Sequence, residues 1–244
     1  MAMPIPRWAQ TLTVALVATC AAGLATVAAR EPAAEEPLAE RVATIAAAVE
    51  SYWRGVFRAA EIPYDPAAAV LYAEREVTDC GPATENSKAF YCPRDDRIYL
   101  ADGFFAEAVV PYGEAGLIQV IAHEWGHHVQ AQLGVKDDAD RRAATDGGKT
   151  YDLIWELQAD CLSGTYAAAA DRRGDLAPRD IDGAIRLLYD EGGDPEGFGP
   201  GARGAHGTGA QRVRLFLQGY FGGDGLTGCG NLKPDGGTTD QPER

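Results

Sequence analysis

The residues whose types and spacing suit metal chemistry lie at positions 117–135, in the segment LIQVIAHEWGHHVQAQLGV. His123 and His127 are four residues apart, and a helix that turns about 100° per residue places them on one face. Two imidazoles at this spacing can bind one zinc ion, and Glu124 can act on a zinc-activated water. The surrounding apolar residues predict a buried helix, where such a cluster would be costly to desolvate without a metal.

A second segment supplies a carboxylate that could complete such a site. Glu156 and Asp160 lie four residues apart in a predicted helix over residues 151–170, among apolar residues. A catalytic zinc usually takes three protein ligands, which makes Glu156 the predicted third ligand. Asp160, one turn later, is predicted to accept the second ring N–H of a ligand histidine and so to set its tautomer.

Two further histidines have less definite roles. His206 lies outside the motif helix and is predicted to be catalytic, donating a hydrogen bond to the oxyanion of a tetrahedral intermediate; a structural role at a helix start is the alternative. His128 lies about 100° around the helix from His127, so packing or a substrate-side role is expected rather than zinc ligation.

The elements that position these residues are mostly helical. Apolar spacing predicts a helix over residues 38–62, and a short helix over 103–110 is expected to be capped by Asp102 and to stop at Pro111. Further helices are predicted from Pro178 to Tyr189 and from His206 onward, with loops at 136–150 and 191–205.

Two short strands are predicted, at residues 69–72 and 97–100. A strand just before an active-site helix can form the edge along which an extended peptide binds by β-augmentation, and Ile98–Leu100 is the candidate for that edge. The alternative is an ordinary packed strand. The fold class is therefore predicted to be α+β, mostly helical, with a small edge sheet.

Composition limits the classes of function. The chain has 244 residues, of which 46% are hydrophobic and 24% charged, which is typical of one compact globular domain. Its net charge of −14 argues against nucleic-acid binding, and so against a nucleic-acid-binding zinc module.

The N-terminal segment has the features of an export signal. Arg7 precedes an uncharged apolar run at residues 11–29, with small residues at its end. Residues 1–29 are therefore expected to be a cleaved signal peptide or a single membrane anchor, with lipidation at Cys20 a weaker alternative. Residues 30–37 are a predicted linker, 38–232 the catalytic domain, and 233–244 a disordered tail. The protein is expected to be extracytoplasmic, either secreted or anchored.

Export affects the interpretation of the cysteines that remain after the leader, Cys80, Cys92, Cys161 and Cys229. An even number in an oxidising compartment suggests two disulfides, for which sequence alone permits three pairings. Cys80 and Cys92 flank a short loop, which favours their pairing and would leave Cys161 to join Cys229.

Four ordered motifs resemble the neutral zinc metallopeptidase family of bacteria: CG…FYCPRDDRIYLADGFF, IAHEWGHHVQ, ELQADCLSG and HGTGAQR. The resemblance extends from about Val42 to Gly230. It implies a zincin-like fold with a gluzincin arrangement of the thermolysin kind, with His123, His127 and Glu156 on one zinc ion and Glu124 as the catalytic base. It also supports the pairings Cys80–Cys92 and Cys161–Cys229. The chain departs from the family pattern at Gly209, where the last motif usually has Ser.

The predicted function is that of an exported zinc metallopeptidase that hydrolyses peptide bonds in peptide or protein substrates, with Glu124 as general base. The alternative is a non-catalytic, zinc-stabilised extracytoplasmic binding domain. Glu124 favours the enzyme, because a purely structural zinc site needs no base beside an open metal position.

Overall fold

The computed structural model describes residues 36–135, 149–176, 180–193, 206–222 and 225–230. In these ranges the helices are α1 Leu38–Ala59, α2 Asp102–Phe104, α3 Gly113–Gln132, α4 Lys149–Arg173, α5 Ile181–Asp190 and α6 Gly209–Gly222. The strands are β1 Ala68–Tyr72, β2 Arg75–Thr78, β3 Gly81–Thr84, β4 Ala89–Cys92 and β5 Arg97–Ala101. The fold is mostly helical with a small sheet, which agrees with the α+β prediction.

Helix α1 forms one wall of the core. Its apolar residues recur at helical spacing and are nearly inaccessible to solvent: Val42, Ile45, Val49, Trp53 and Phe57. The helix ends at Ala59, three residues before the predicted end at Ile62.

The described strands form a three-stranded sheet in the order β1-β5-β4 and a separate β2-β3 hairpin. Strand β1 pairs in parallel with β5, and β4 pairs with β5 in antiparallel fashion. The prediction that Ile98–Leu100 forms the sheet edge is therefore wrong. Those residues lie in the central strand, and they are at most 1% exposed because both the sheet and the core cover them. The outer strand next to α3 is β4.

The connection from β5 to α3 consists of successive helical turns, with a break in the backbone at Gly113, whose φ is 73°. Asp102 is the first residue of α2 rather than its cap, since Ala101 occupies the cap position. A π-helical turn at Phe105–Val109 and a 3-10 turn at Val110–Tyr112 follow. The path passes Pro111, the predicted end, because a proline in the first turn of a helical segment removes no needed N–H.

Helix α3 is buried on almost every side, between α1, α4, α5 and β4. Among the described residues, the stretch Asp102–Gln132 is long and apolar enough to span a membrane by length and composition, but most of its Gly113–Gln132 part is buried in the core. Gly126 permits the contact with α4: a Cβ at this position would lie 3.0 Å from the Cα of Ala159. Any larger residue would push the two helices apart.

The described cysteines form the two expected disulfides, Cys80–Cys92 and Cys161–Cys229. The second attaches the segment at 225–230 to α4. Helices α4 and α6 also cross closely at Gly219, where a Cβ would collide with the backbone oxygen of Cys161. Several predictions lie outside the described residues: the leader, the linker as far as residue 35, the loop at 136–148, the helix start at Pro178, the loop at 194–205 and the tail from 231.

Candidate metal centre

Helix α3 presents three polar residues of the motif within the core. His123, Glu124 and His127 are 4–8% exposed, because α1, α4 and the sheet cover the rest of the helix. The Nε2 atom of His123 lies 3.1 Å from Oε2 of Glu156, and Nε2 of His127 lies 3.5 Å from the same oxygen. The i, i+4 pair and the carboxylate of a separate helix therefore converge on one point.

Asp160 lies behind His123. Its Oδ1 atom is 2.8 Å from Nδ1 of His123, so the ring can donate its Nδ1–H to this carboxylate while Nε2 faces Glu156. The spacing of Glu156 and Asp160 along α4 explains why one contacts the front of the ring and the other the back.

Gln130 holds the second histidine in an equivalent way, which the sequence reasoning missed. Its Oε1 atom is 2.9 Å from Nδ1 of His127, and its side chain is completely buried. Trp155 stacks on the His127 ring with centroids 5.1 Å apart and planes at 11°. The available signal was a glutamine one helical turn after His127 on a helix that is otherwise apolar.

Arg212 is a second missed residue. Its guanidinium binds both oxygens of Asp160, with Nε–Oδ2 at 2.8 Å and Nη2–Oδ1 at 2.9 Å. Gln119 donates to Asp160 at 3.3 Å and accepts from Ser163 at 2.8 Å. Together with His123, Arg212 and Gln119 keep the buried Asp160 carboxylate ionised and oriented.

These contacts shift pKa values in the metal-free site. Burial lowers the pKa of His123, but the charges and hydrogen bonds of Asp160 and Glu156 outweigh it and raise that pKa to about 10. Burial raises the pKa of Glu156, yet the histidines hold it well below its usual value. Burial likewise raises the pKa of Asp160, and Arg212 and His123 bring it below normal. Without a cation, the protonated His123 ring therefore donates its Nδ1–H to Asp160 and its Nε2–H to Glu156.

His206 reaches the same point from the start of α6. Its Nδ1 atom lies 2.7 Å from Oε2 of Glu156, and its side chain is 53% exposed. The helix begins at Gly209, three residues later than predicted, because Thr208 and Gln211 form a reciprocal capping box. The Thr-x-x-Gln pattern in HGTGAQ was the signal for that start.

Among the described residues, one group that could hold a metal ion includes His206 and omits His127. Atoms of His123, Glu156 and His206 lie within 4.8 Å of one another. The His127 ring is buried and its Nδ1 is held by Gln130, whereas the His206 side chain is half exposed. The exposed position of His206 suits a group that meets substrate.

Two cavities meet at this cluster. One, of about 340 Å³, has an apolar wall of Val120, Leu187 and Leu188; the other, of about 230 Å³, is lined by Tyr91 and Trp155. Glu124 and His206 line both cavities, and β4 runs along them. The acid group beside the histidines therefore faces open space where a substrate can enter.

His128 points away from this site. Its Nε2 donates to the backbone oxygen of Asp65 at 2.9 Å, and its Nδ1 lies 3.3 Å from Oη of Tyr91. The ring is completely buried between Tyr64 and Tyr91.

Comparison with known proteins places the chain in a family. Residues 16–231 match the family described as "Putative neutral zinc metallopeptidase". The chain belongs to this family. It is 28% identical to "Uncharacterized protein YpfJ" of Escherichia coli K12 over 78% of this chain and 70% of the relative. It is 31% identical to "Uncharacterized protein Rv2575" of Mycobacterium tuberculosis H37Rv, over 75% of this chain and 67% of the relative. No solved structure matches the chain.

The donor set fits the zinc that the name of this neutral zinc metallopeptidase family implies. Imidazole nitrogens and one carboxylate are the ligand types of catalytic zinc sites. In addition, both motif histidines have their Nδ1 atoms paired with oxygen acceptors, so that Nε2 is in each ring the nitrogen that can face a metal beside Glu156.

Proposed function

We propose that this protein is a zinc-dependent peptidase in which His123, His127 and Glu156 hold the metal. The observation that carries the proposal is the approach of both Nε2 atoms to one oxygen of Glu156, at 3.1 and 3.5 Å. A cation between these three atoms would replace the Nε2 proton that His123 donates to Glu156. The zincin-like arrangement implied by the motifs is part of this proposal.

Glu124 is proposed as the general base. It follows His123 on α3 and lines both cavities, so its carboxylate can take a proton from a water in the site and pass it to the leaving amine. When bound, zinc supplies a Lewis acid that polarises the water and the scissile carbonyl. His206 lines the same space and is proposed to donate a hydrogen bond to the oxyanion.

The substrate is proposed to be a peptide or protein segment in extended conformation. The sequence assigned the binding edge to Ile98–Leu100, which the sheet order excludes, and β4 is the strand that takes that role. Its residues Ala89, Phe90 and Tyr91 line the cavities beside Glu124. A strand added along β4 would pass the catalytic carboxylate.

We further propose that the protein acts outside the cytoplasm. Two disulfides within the folded domain support this location, because disulfides persist in oxidising compartments. The export signal or anchor predicted at residues 1–29 is the matching expectation.

The experiment that tests the function is hydrolysis of casein by the purified protein, together with metal analysis. We expect about one zinc per chain, and cleavage that stops with 1,10-phenanthroline and returns when zinc is added. The 1,7 isomer, which does not chelate, is the matched control. A protein that binds zinc but cleaves no unfolded substrate would instead support the non-catalytic binding domain.

A further inference from the structure

A chain of amide groups leads from His127 to a buried disulfide. His127 Nδ1 lies 2.9 Å from Oε1 of Gln130, and Nε2 of Gln130 lies 2.9 Å from Oε1 of Gln158. The Nε2 atom of Gln158 then donates to the backbone oxygen of Cys229 at 2.9 Å. Cys229 is bonded to Cys161 on α4.

Two backbone carbonyls determine the direction of every hydrogen bond in this chain. The oxygen of Cys229 can only accept, so Gln158 must present its NH₂ group there and its oxygen to Gln130. Gln130 must then present NH₂ to Gln158, and the same NH₂ donates to the backbone oxygen of Trp155 at 2.8 Å. The hydrogen-bond network therefore determines which end of each amide is oxygen and which is nitrogen.

The consequence for His127 is a defined tautomer. Gln130 has only its oxygen left for the ring, so Nδ1 of His127 must carry the proton. The lone pair is then on Nε2, the atom that faces Glu156. A histidine ligand held in this way binds metal without first changing its tautomer.

The last acceptor in the chain is the backbone oxygen of a disulfide-bonded cysteine. Cys229 is 1% exposed, and the segment at 225–230 lies against α4 and α6 through the bond to Cys161. Gln218 on α6 donates to the neighbouring backbone oxygen of Gly228 at 3.0 Å, but it takes no part in the relay to His127.

We propose that Gln130 and Gln158 are positioning residues for the metal, and that their action requires the Cys161–Cys229 disulfide. This inference rests on the proposed function, since it takes His127 as a zinc ligand. It makes the disulfide a condition for full zinc affinity and not only a link that stabilises the fold.

The first test measures the zinc dissociation constant of Gln158→Met by competition with a chromophoric chelator. We expect zinc affinity to fall by up to about tenfold, the lower end of the cost of losing a group bonded directly to a ligand histidine, because Gln130 loses one of the two acceptors that orient it. Gln218→Met is the matched control, because it removes an amide from the adjacent carbonyl and leaves the relay intact. Affinity within twofold of wild type for Gln158→Met, or an equal loss in Gln218→Met, would overturn the proposal.

A spectroscopic signature separates positioning from general stabilisation. In the zinc-loaded protein the Nδ1 proton of His127 should give a slowly exchanging imidazole N–H signal, which weakens in Gln158→Met and persists in Gln218→Met. An unchanged signal in Gln158→Met contradicts the relay.

The disulfide is tested separately with Cys229→Ser, against the double variant Cys80→Ser/Cys92→Ser. Only Cys229→Ser should weaken zinc binding, and equal effects of the two would reject the dependence. These measurements read zinc affinity or the His127 N–H signal and not hydrolysis, so they remain decisive even if wild type binds zinc and cleaves nothing. If wild type binds no zinc, the proposed function itself fails.

Discussion

Arg212 and Asp160 form a buried two-point ion pair directly behind the candidate metal centre, with nitrogen–oxygen distances of 2.8 and 2.9 Å. The pair connects α6 to α4, and through His123 it reaches α3. Its charge balance explains how a carboxylate can remain ionised at a position with no exposure to solvent.

Replacement of Arg212 by Met should therefore destabilise the zinc-free protein at neutral pH by about 3–5 kcal/mol, because a buried carboxylate loses its partner. The folded-state pKa of Asp160 lies below its ordinary value of 3.8. The ion pair's contribution is thus complete at neutral pH and disappears as the pH falls through that lowered pKa. Urea unfolding at a series of pH values checks this prediction. It would be contradicted if the difference in free energy of unfolding between wild type and variant stayed constant well below pH 3.8.

Glu124→Gln should retain zinc and lose most hydrolysis. The amide cannot accept the proton of the attacking water, so we expect kcat to fall by roughly two to four orders of magnitude. Zinc content and casein cleavage measure the two effects. Glu114→Gln is the control, since Glu114 is on the same helix but pairs with Arg41 away from the cavities. Activity of Glu124→Gln equal to wild type would reject the base assignment.

His127→Ala and His206→Ala distinguish the two candidate ligand sets. If His127 is the ligand, its replacement removes zinc, whereas His206→Ala keeps zinc and lowers kcat by roughly 10²–10³, the cost of one oxyanion donor. Zinc analysis after dialysis against a weak chelator provides the comparison. Loss of zinc in His206→Ala alone would instead identify His123, Glu156 and His206 as the ligands.

Zinc binding should release about one proton per site near neutral pH. The pKa of His123 is raised to about 10 in the metal-free protein, so its Nε2 is protonated at pH 7 and must lose that proton to bind metal. Zinc affinity should accordingly rise with pH up to that value. Calorimetry in buffers of different ionisation enthalpy counts the protons. Asp160→Asn removes the main cause of the raised His123 pKa, so this variant should release fewer protons when zinc binds. If wild type releases no proton, His123 Nε2 is not protonated in the metal-free site.

The sequence was most informative where the relevant contacts are local. Residues four apart on a helix share a face whatever surrounds them, so the pairs His123–His127 and Glu156–Asp160 could be read from spacing alone. The apolar period of α1 and the α+β class followed from the same kind of pattern. The positions of helix ends were less certain, as the start of α6 shows: the helix begins at Gly209 because of the bonds between Thr208 and Gln211.

Tertiary structure decided what depends on residues far apart in the chain. Sheet order placed β5 in the centre and β4 at the edge, because a strand's neighbours are chosen by packing rather than by its own residues. The groups that orient Asp160 and Gln158 behind the motif histidines are equally remote, since Arg212 is 52 positions from Asp160 and Cys229 is 71 from Gln158. Sequence alone identified the groups that can do chemistry. Only the packing of α3, α4 and α6 sets which neighbour each ring nitrogen faces.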